Sequence, residues 1–502
     1  MTQKLLYFLF CIFVLSVVSC DALKPATSGE RDNQRNEDRA RGNDDDLDPI
    51  QSRRVYDPET GTYIYVKNAP TEKMDTVQWT VTPEERMPPI VDNGSSTYMP
   101  PPNTNTNPAA PGPATQLGSG NNGSRLLSAY NVEYALPFLT NKYLGSEDKV
   151  DANSLWALHF YSGAQMAMDE MRSQAGTRST YYVDVQDTQA EPGRTRSLTQ
   201  SPSFNAAQVV IGPYVKGNVA TMADAVKGKE TVVVSPFSAG TGISERNPNY
   251  VQVNPTLNTH LRGILEHAMT TQNSDRIVLV TDGSDAQKGR LATLQEDYKL
   301  LNNNAKIAPL EELTVDINNV DATFAEYLTG NRTVFIVPVY ENESFVANFL
   351  RKLYAETRED FGKNVAVYGL PQWVDFTRIN FDYYEGTNVH VSSSVHIDLL
   401  DPAVRSFRRE FYDRFATLPR DEAYVGYDVT RYFMRMLAEH GTRFQYDLPA
   451  NPETLLHTKF RFEPVYAVGA DGMAVENAPV ERFENKYVNI LRFRDFMFRR
   501  VN

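Results

Sequence analysis

The most constraining feature of the sequence is a strand–helix–strand pattern within residues 207–239. One apolar run, Gln208 to Ile211, ends in Gly-Pro; an amphipathic segment follows, and a second apolar run, Thr231 to Val234, ends in Ser-Pro. Two short, wholly apolar strands joined by one helix predict a right-handed parallel βαβ unit, because strands buried on both faces do not alternate. Ligands in such sheets gather beyond the carboxyl ends of the strands, here the loops 212–217 and 235–240.

The same pattern continues on both sides of this unit. From Tyr130 to Tyr368, predicted strands and helices alternate with short connections, and two longer helices follow, from Pro402 to Ala416 and from Glu422 to His440. Two consecutive series of this kind favour doubly wound parallel sheets over a helical bundle or a β-sandwich. The expected fold class is α/β, with each of two lobes built on a wound parallel sheet.

The first 20 residues predict export. Lys4 precedes an apolar run, Leu5 to Val18, that is short for a membrane-spanning helix, and the small residue Ser19 precedes Cys20. The run LSVVSC resembles the lipobox of bacterial lipoproteins, which implies that residues 1–19 are removed and that Cys20 carries the lipid. The alternative is a standard signal peptide with an incidental cysteine.

Residues 20–128 predict a disordered arm. The arm is charged and poor in large apolar residues up to about Arg54, and it is rich in Pro, Asn, Gly, Ser and Thr from Pro83 to Ser124. Segments of this composition do not bury enough apolar surface to fold. Between the two, the segment 54–79 contains a turn, Asp57 to Gly61, and then an alternating run, which predicts a small hairpin.

The composition of the chain limits the classes of function that it can have. The chain has 63 acidic and 50 basic residues and a net charge of -13, which disfavours nucleic-acid binding because that needs clustered cations. Its two cysteines are Cys11, inside the leader, and Cys20, so no disulfide is expected after export. We find no nucleophile–base arrangement and no metal-ligand spacing, so we expect neither an enzyme nor a cofactor.

Seven stretches between Ala129 and Asn502 share their order and spacing with a known family. They are YNVEYALPF, SLWALHFYSGAQMAMDEM, VVIGPYVKGNV, VVVSPFSAG, YVQVNPTLNTHLRGILEHA, RIVLVTD and DPAVRSFRREFYDRFATLPRDEAYVGYDVTRYFMRML. In this order they resemble the type I periplasmic binding proteins, the two-lobed fold of branched-chain amino-acid receptors. The resemblance implies three chain crossings between the lobes, near Asn254-Pro255, near 391–394 and near 461–468. Lobe 1 would comprise 129–254 and 394–460, and lobe 2 would comprise 255–393 and 461–502.

The resemblance also implies a ligand site between the lobes. In well-known members, small hydroxyl residues and N–H groups hold an amino acid at positions that correspond here to 214–218 and 235–239. This chain departs from that pattern, and an acidic residue expected across the cleft is replaced, so a free α-amino acid is a poor ligand candidate. The expected site residues are Lys216, Ser235, Phe237, Ser238, Tyr340, Gln372 and Trp373.

These site residues allow two interpretations. Lys216, just before a predicted helix, would favour an anion, and Phe237, Tyr340 and Trp373 would stack on a ring or sugar. Alternatively, Lys216 is merely solvated and the aromatic side chains fill the cleft.

Two functions follow from these interpretations. The first is a non-enzymatic, lipid-anchored solute-binding protein of the cell envelope, facing the periplasm, that captures a small polar or anionic solute and serves an ABC transporter. The second is a scaffold or activator lipoprotein with a filled cleft, acting on cell-wall synthesis or another envelope complex. An open cleft favours the first function and a filled cleft favours the second.

Overall fold

The computed structural model describes residues 52–57, 62–67, 114–143, 150–173, 179–316, 324–328, 330, 332–358, 364–467 and 478–502. The chain divides into two compact units, Met1–Pro102 and Asn103–Asn502. In the first unit, β1 (Ser52–Asp57) and β2 (Thr62–Lys67) form an antiparallel pair at the position of the predicted hairpin. Apart from β1 and β2, all residues up to residue 113, including the leader and Cys20, lie outside the described residues.

The second unit alternates strands and helices. Its strands are β3 (Gln116–Ser119), β4 (Arg125–Leu127), β5 (Ala129–Leu136), β6 (Thr180–Asp187), β7 (Val209–Ile211), β8 (Val232–Ser235), β9 (Tyr250–Gln252), β10 (Arg276–Thr281), β11 (Glu311–Thr314), β12 (Thr333–Ile336), β13 (Val365–Gly369), β14 (Val389–Ser393), β15 (Glu453–Thr454), β16 (Lys459–Phe460), β17 (Phe462–Tyr466), β18 (Val480–Asn485), β19 (Asn489–Arg494) and β20 (Met497–Arg500). Its α-helices are α1 (Leu155–Ser173), α2 (Pro192–Leu198), α3 (Pro202–Ala206), α4 (Lys216–Val226), α5 (Leu257–Thr271), α6 (Asp285–Leu301), α7 (Glu343–Arg358), α8 (Phe381–Gly386), α9 (Pro402–Phe415) and α10 (Asp421–His440).

Two sheets of seven strands organise this unit. The first has the order β17-β18-β9-β8-β7-β5-β6, and the second has the order β11-β10-β12-β13-β14-β19-β20. In the first sheet every neighbouring pair is parallel except β17–β18. In the second sheet the pairs β14–β19 and β19–β20 are antiparallel, and the other pairs are parallel. We call the two sheets with their flanking helices lobe 1 and lobe 2. The two-lobed, wound α/β fold expected from the sequence is confirmed.

The strand–helix–strand pattern of residues 207–239 forms the centre of lobe 1. The strands β7 and β8 are parallel neighbours, with Val209 opposite Val232 and Ile211 opposite Val234. All of their residues are buried, since helices cover both faces of the sheet. One face packs against α4, and the other packs against α1 and α10.

The helices α1 and α10 pack backbone to backbone. A Cβ atom on Gly163 would lie 1.9 Å from the Ala423 carbonyl oxygen, and one on Gly426 would lie 1.9 Å from the Phe160 carbonyl oxygen. Only glycine allows this approach, because both distances are far shorter than any real Cβ contact. The two longest helices of lobe 1 are therefore held in one fixed register.

The end of the predicted arm belongs to the folded body. The strands β3 and β4 pair antiparallel, and Leu127 is buried. The Ser124 hydroxyl donates to the His440 carbonyl at 2.5 Å and accepts from the Arg443 N–H at 2.9 Å. These long-range hydrogen bonds order a segment whose composition alone predicts a linker, so the sequence-based boundary at residue 128 is too late.

The chain crosses between the lobes three times. The first crossing runs from β9 to α5 and the second from β14 to α9, near the predicted positions. The third crossing is Lys486–Val488, and not 461–468 as expected, because β17 and β18 belong to the first sheet. Phe483 of β18 lies opposite Val251 of β9, which places β17 and β18 in lobe 1 instead of lobe 2.

A buried carboxylate joins the first and third crossings. Glu484 is fully buried and accepts hydrogen bonds from the Thr256 N–H at 3.1 Å and from the Thr256 and Thr259 hydroxyls at 2.7 and 2.6 Å. It also pairs with Arg482 at 2.6 Å and Lys486 at 3.0 Å. Burial opposes ionisation, but the two cations and the two hydroxyls outweigh it and lower the pKa of Glu484 to about 2. The carboxylate therefore stays charged and ties the two crossings together.

Candidate ligand-binding site between the lobes

The loops that follow β7 and β8 lie side by side at the carboxyl edge of the first sheet. A Cβ atom on Gly240 would lie 3.2 Å from the Cε atom of Lys216. The Tyr214 and Phe237 rings are 6.2 Å apart. Parallel neighbouring strands deliver both loops to one edge, as the sequence pattern predicts.

Lys216 begins α4 and is exposed. The preceding residue, Val215, offers no side-chain cap, and the first helical turn contains no acidic residue. Lys216 forms no ion pair with any described residue. An uncapped helix N-terminus carries a positive partial charge, and an ammonium group beside it adds to that charge. This corner of lobe 1 therefore favours an anionic group.

Buried polar side chains lie close to the same loops. Asn218 in the first turn of α4 and Ser235 at the end of β8 are fully buried, and neither side chain makes a hydrogen bond with another described residue. Burial raises the pKa of the neighbouring Tyr250 hydroxyl, which also has no hydrogen bond of the usual geometry with another described residue. Buried polar groups normally have hydrogen-bond partners, so this polar cluster is unusual for a closely packed core.

Phe237 belongs to an aromatic cluster on lobe 1. Its ring lies 5.3 Å from Trp156 and 5.7 Å from Phe160, and Trp156 lies 4.7 Å from Tyr214. Phe237 is half-buried, so its neighbours already cover much of its ring. Sequence reasoning did not select Trp156; its place in the first turn of the first long helix was the available signal.

On lobe 2, Tyr340 lies beneath a guanidinium group. The Arg290 Cζ atom is 4.3 Å from the centre of the Tyr340 ring, and Arg290 also donates hydrogen bonds to Glu341. The hydrogen bond with Glu341 raises the pKa of Arg290, and the same bond lowers the pKa of Glu341. Tyr340 is therefore held at the carboxyl end of β12 by a charged neighbour.

Trp373 points into the core of lobe 2. It is 0% exposed, and its indole N–H donates to the Val339 carbonyl at 2.7 Å. The ring lies on Gly369, where a Cβ atom would come within 2.3 Å of it. Trp373 thus packs the lobe instead of offering a face to a ligand, which corrects the stacking role expected from the sequence.

A cavity of about 780 Å³ lies between the lobes, next to the second crossing. Lobe 2 contributes the loop after β13, and lobe 1 contributes α9 and the start of α10. The polar and aromatic residues that line it include Gln372, Asp375, His396, Arg408, Asp421 and Tyr424. Gln372 is exposed and is the one residue of the expected site that lines this cavity.

The cavity has charged groups of both signs. Burial raises the pKa of Asp421, and burial together with the Arg500 charge lowers the pKa of His396 against the effect of Asp398. The imidazole is therefore neutral at neutral pH, which leaves Arg408 as the cation and the Asp375 and Asp421 carboxyl groups as its counterparts. Such a lining suits a small polar solute that both donates and accepts hydrogen bonds.

The structure thus distributes the expected site residues over four places. Lys216, Ser235, Phe237 and Ser238 lie together on lobe 1, Tyr340 lies on lobe 2, Gln372 lines the cavity, and Trp373 is in the core. Sequence reasoning did not select His396, Arg408 or Asp421 as site residues. The available signal was weak: charged residues near a crossing and near the start of a helix.

Comparison with known proteins identifies the fold. No model of a known protein family matches the sequence, and no curated protein matches it. A solved structure assigned as a branched-chain amino acid ABC transporter from Rhodospirillum rubrum aligns with 74% of this chain and 100% of its own, at 14% identity and a TM-score of 0.51. The chain has the type I periplasmic binding protein fold.

Other solved structures with the type I periplasmic binding protein fold align over a similar range. A substrate-binding protein from Desulfitobacterium hafniense in complex with Leu covers 74% of this chain and 100% of its own, at 15% identity and a TM-score of 0.44. A periplasmic ligand-binding protein from Burkholderia xenovorans covers 74% of this chain and 94% of its own, at 10% identity and a TM-score of 0.45. Identities this low do not transfer a ligand.

Two properties hold for the described residues only. None of their helices combines the length and apolarity that a membrane crossing requires. Among the same residues, no group of three His, Cys, Asp or Glu side chains is placed to hold a metal ion.

Proposed function

We propose that this chain is a lipid-anchored solute-binding protein of the cell envelope that captures a small polar solute between its lobes. The observation that supports this most is the cavity of about 780 Å³ lined by residues from both lobes. Its volume lies in the range of small-molecule sites, roughly 300–1,000 Å³. A solute that contacts both lobes stabilises the closed arrangement, and motion at the three crossings supplies the closure.

The ligand is a polar solute with an anionic group. Arg408 in the cavity and Lys216 at the uncapped start of α4 are the cations available to it. On lobe 1, Ser235 and Ser238 lie close to the loop that carries Lys216, and lobe 2 offers Gln372, which lines the cavity, and Tyr340. The fold and the LSVVSC run at Cys20 support delivery to an ABC transporter from a membrane anchor, with the body facing the periplasm.

A second function has one observation in its favour. The mutual packing of Trp156, Tyr214 and Phe237 partly fills the space at the loops where well-known members hold an amino acid. A body with a filled site is expected of a scaffold that acts by protein contact, for example on cell-wall synthesis. Saturable solute binding separates the two functions.

A thermal-shift screen of residues 21–502 against small polar and anionic metabolites tests the proposal. The best solute should raise the melting temperature, and Arg408→Gln should weaken its binding roughly tenfold, since one charge-assisted hydrogen bond contributes about 1.5 kcal/mol or more. Lys216→Gln should weaken the binding of an anionic solute by a similar factor if the lobes close over that solute.

The matched controls are Arg409→Gln on α9 and Lys227→Gln at the other end of α4, both exposed. Neither should change the affinity, and none of the four variants should alter the melting temperature of the free protein by much. Failure of every solute to shift the wild type would favour the scaffold, and equal affinities for Arg408→Gln and Arg409→Gln would place the bound solute outside this cavity.

A further inference from the structure

The turn between β19 and β20 has an unusual residue at its tip. The strands pair with Arg494 opposite Met497, so the turn consists of Asp495 and Phe496. Both have left-handed backbone conformations, with φ of 52° and 63°. Glycine and asparagine are preferred in such turns, and a bulky residue there costs roughly 1–2 kcal/mol. Phe496 is 68% exposed, so burial of its ring does not offset that cost.

Phe496 has apolar neighbours that are also exposed. Met497 is 52% exposed and Phe381, the first residue of α8, is 49% exposed. The Phe381 ring lies 6.4 Å from the Phe496 ring and 5.4 Å from the buried Phe493 ring. We call Phe381, Phe496 and Met497 the hairpin tip; it is a continuous apolar surface anchored in the core of lobe 2.

Three arginine residues lie on the same hairpin as Phe496 and Met497. Arg494 and Arg499 share one carboxylate, Asp495, at 3.9 and 3.8 Å, so the three residues together carry a net positive charge. Arg500 is exposed and forms no ion pair with another described residue. The chain as a whole has a net charge of -13, which makes this basic surface a local exception.

The shape of this region suits a soft surface better than a rigid one. The strand β20 is the edge of its sheet, and no described strand pairs with its outer side. A stable protein interface buries about 1,200 Å² or more, whereas the hairpin tip is three side chains on a convex turn. Exposed aromatic residues that enter the headgroup boundary, with cations beside them, are the usual means by which a folded domain rests on an anionic bilayer.

We propose that the hairpin tip docks on an anionic lipid surface. Phe496, Met497 and Phe381 insert among the headgroups, and Arg494, Arg499 and Arg500 contact the lipid phosphates. Docking would hold lobe 2 against the bilayer. The inference does not depend on solute capture, because Phe381, Phe496 and Met497 do not line the interlobe cavity.

Sedimentation of residues 21–502 with lipid vesicles tests this inference without the leader or an attached lipid. All of the described core of the second unit is retained in this chain. We expect binding to vesicles that contain phosphatidylglycerol, little binding to phosphatidylcholine alone, and loss of binding at high salt. Phe496→Asn should weaken binding about fivefold, and Arg494→Gln with Arg499→Gln should weaken it by at least as much.

Phe496→Asn is a safe variant because asparagine favours the left-handed conformation, so its melting temperature should equal or exceed that of the wild type. The matched controls are Leu300→Asn and Lys299→Gln on α6, beside the opposite edge of the sheet, where Leu300 is 58% exposed. The controls should bind vesicles as the wild type does. Absence of vesicle binding, or equal binding by Phe496→Asn and Leu300→Asn, would overturn the inference. A dimer in solution that Phe496→Asn dissociates, without vesicle binding, would assign the tip to protein contact instead.

Discussion

Among single residues, Glu133 is the clearest example of an ionisable group whose surroundings disfavour its charged form. It lies in the middle of β5, is 1% exposed, and neither carboxylate oxygen has a hydrogen bond that meets the usual geometry. Burial, with a smaller contribution from Asp184 and against the effect of Ser203, raises its pKa to about 7. Glu133 therefore titrates near neutral pH inside lobe 1.

Glu133→Gln should stabilise the protein at about pH 8 and have little effect at about pH 4.5. The folded state keeps the proton up to about pH 7, whereas the unfolded carboxyl loses it near its ordinary pKa of 4.5, so stability falls as the pH rises between these values. The gain at the higher pH should be about 2–3 kcal/mol. Urea unfolding at both pH values measures it.

The exposed Glu191 provides the control for Glu133. Glu191→Gln should change the free energy of unfolding little at either pH. A loss of stability in Glu133→Gln at the higher pH would show that the buried carboxylate is better solvated than its surroundings indicate.

At this scale, position along the chain was predictable and side-chain direction was not. The loop that carries Lys216 and Ser238 follows from strands that end together at one edge of a sheet. Trp373 occupies a similar place after β13, yet its ring folds back over Gly369. The space that a glycine leaves open, and not the position after a strand, decided where this ring went.

At the scale of secondary-structure elements, the sharpest prediction concerns Glu484, which joins the first and third crossings. Glu484→Gln should lower the free energy of unfolding at neutral pH by about 3 kcal/mol, because it leaves the Arg482 and Lys486 charges without their buried partner. In the wild type this contribution is present above about pH 4.5 and is lost as the pH falls towards the folded-state pKa of about 2. Chemical unfolding over that pH range measures it.

Glu481→Gln is the control on the same strand. The Glu481 side chain accepts one hydrogen bond, from the Arg246 N–H at 2.9 Å near the surface, so its replacement should cost less than about 1 kcal/mol. Equal stability of Glu484→Gln and the wild type at neutral pH would mean that the two crossings are not coupled through this carboxylate.

The sequence predicted those elements whose burial is local and uniform. The strands β7 and β8 are apolar throughout and were predictable, whereas β18 reads VERFEN and mixes charged with aromatic residues. Its lobe is decided by pairing with β9, more than two hundred residues earlier in the chain, and nothing in its own residues indicates that partner. The strands β3 and β4 were missed for a similar reason, since their order depends on contacts with residues 440–443.

For the whole molecule, the two-lobed fold and the interlobe cavity lead to one functional claim. The wound sheets, their order and the three crossings position α9, α10 and the loop after β13 around a shared space. The fold was predictable because each lobe repeats a strand–helix pattern. The cavity was not, because its lining combines residues that are distant in sequence and belong to both lobes.

Small-angle X-ray scattering of residues 21–502, with and without the best solute from the thermal screen, tests most directly whether that solute is held between the lobes. The account predicts that the radius of gyration falls when the wild type is saturated, and that Arg408→Gln needs a higher solute concentration for the same change. A radius of gyration that stays constant while the solute binds stoichiometrically would contradict capture between the lobes.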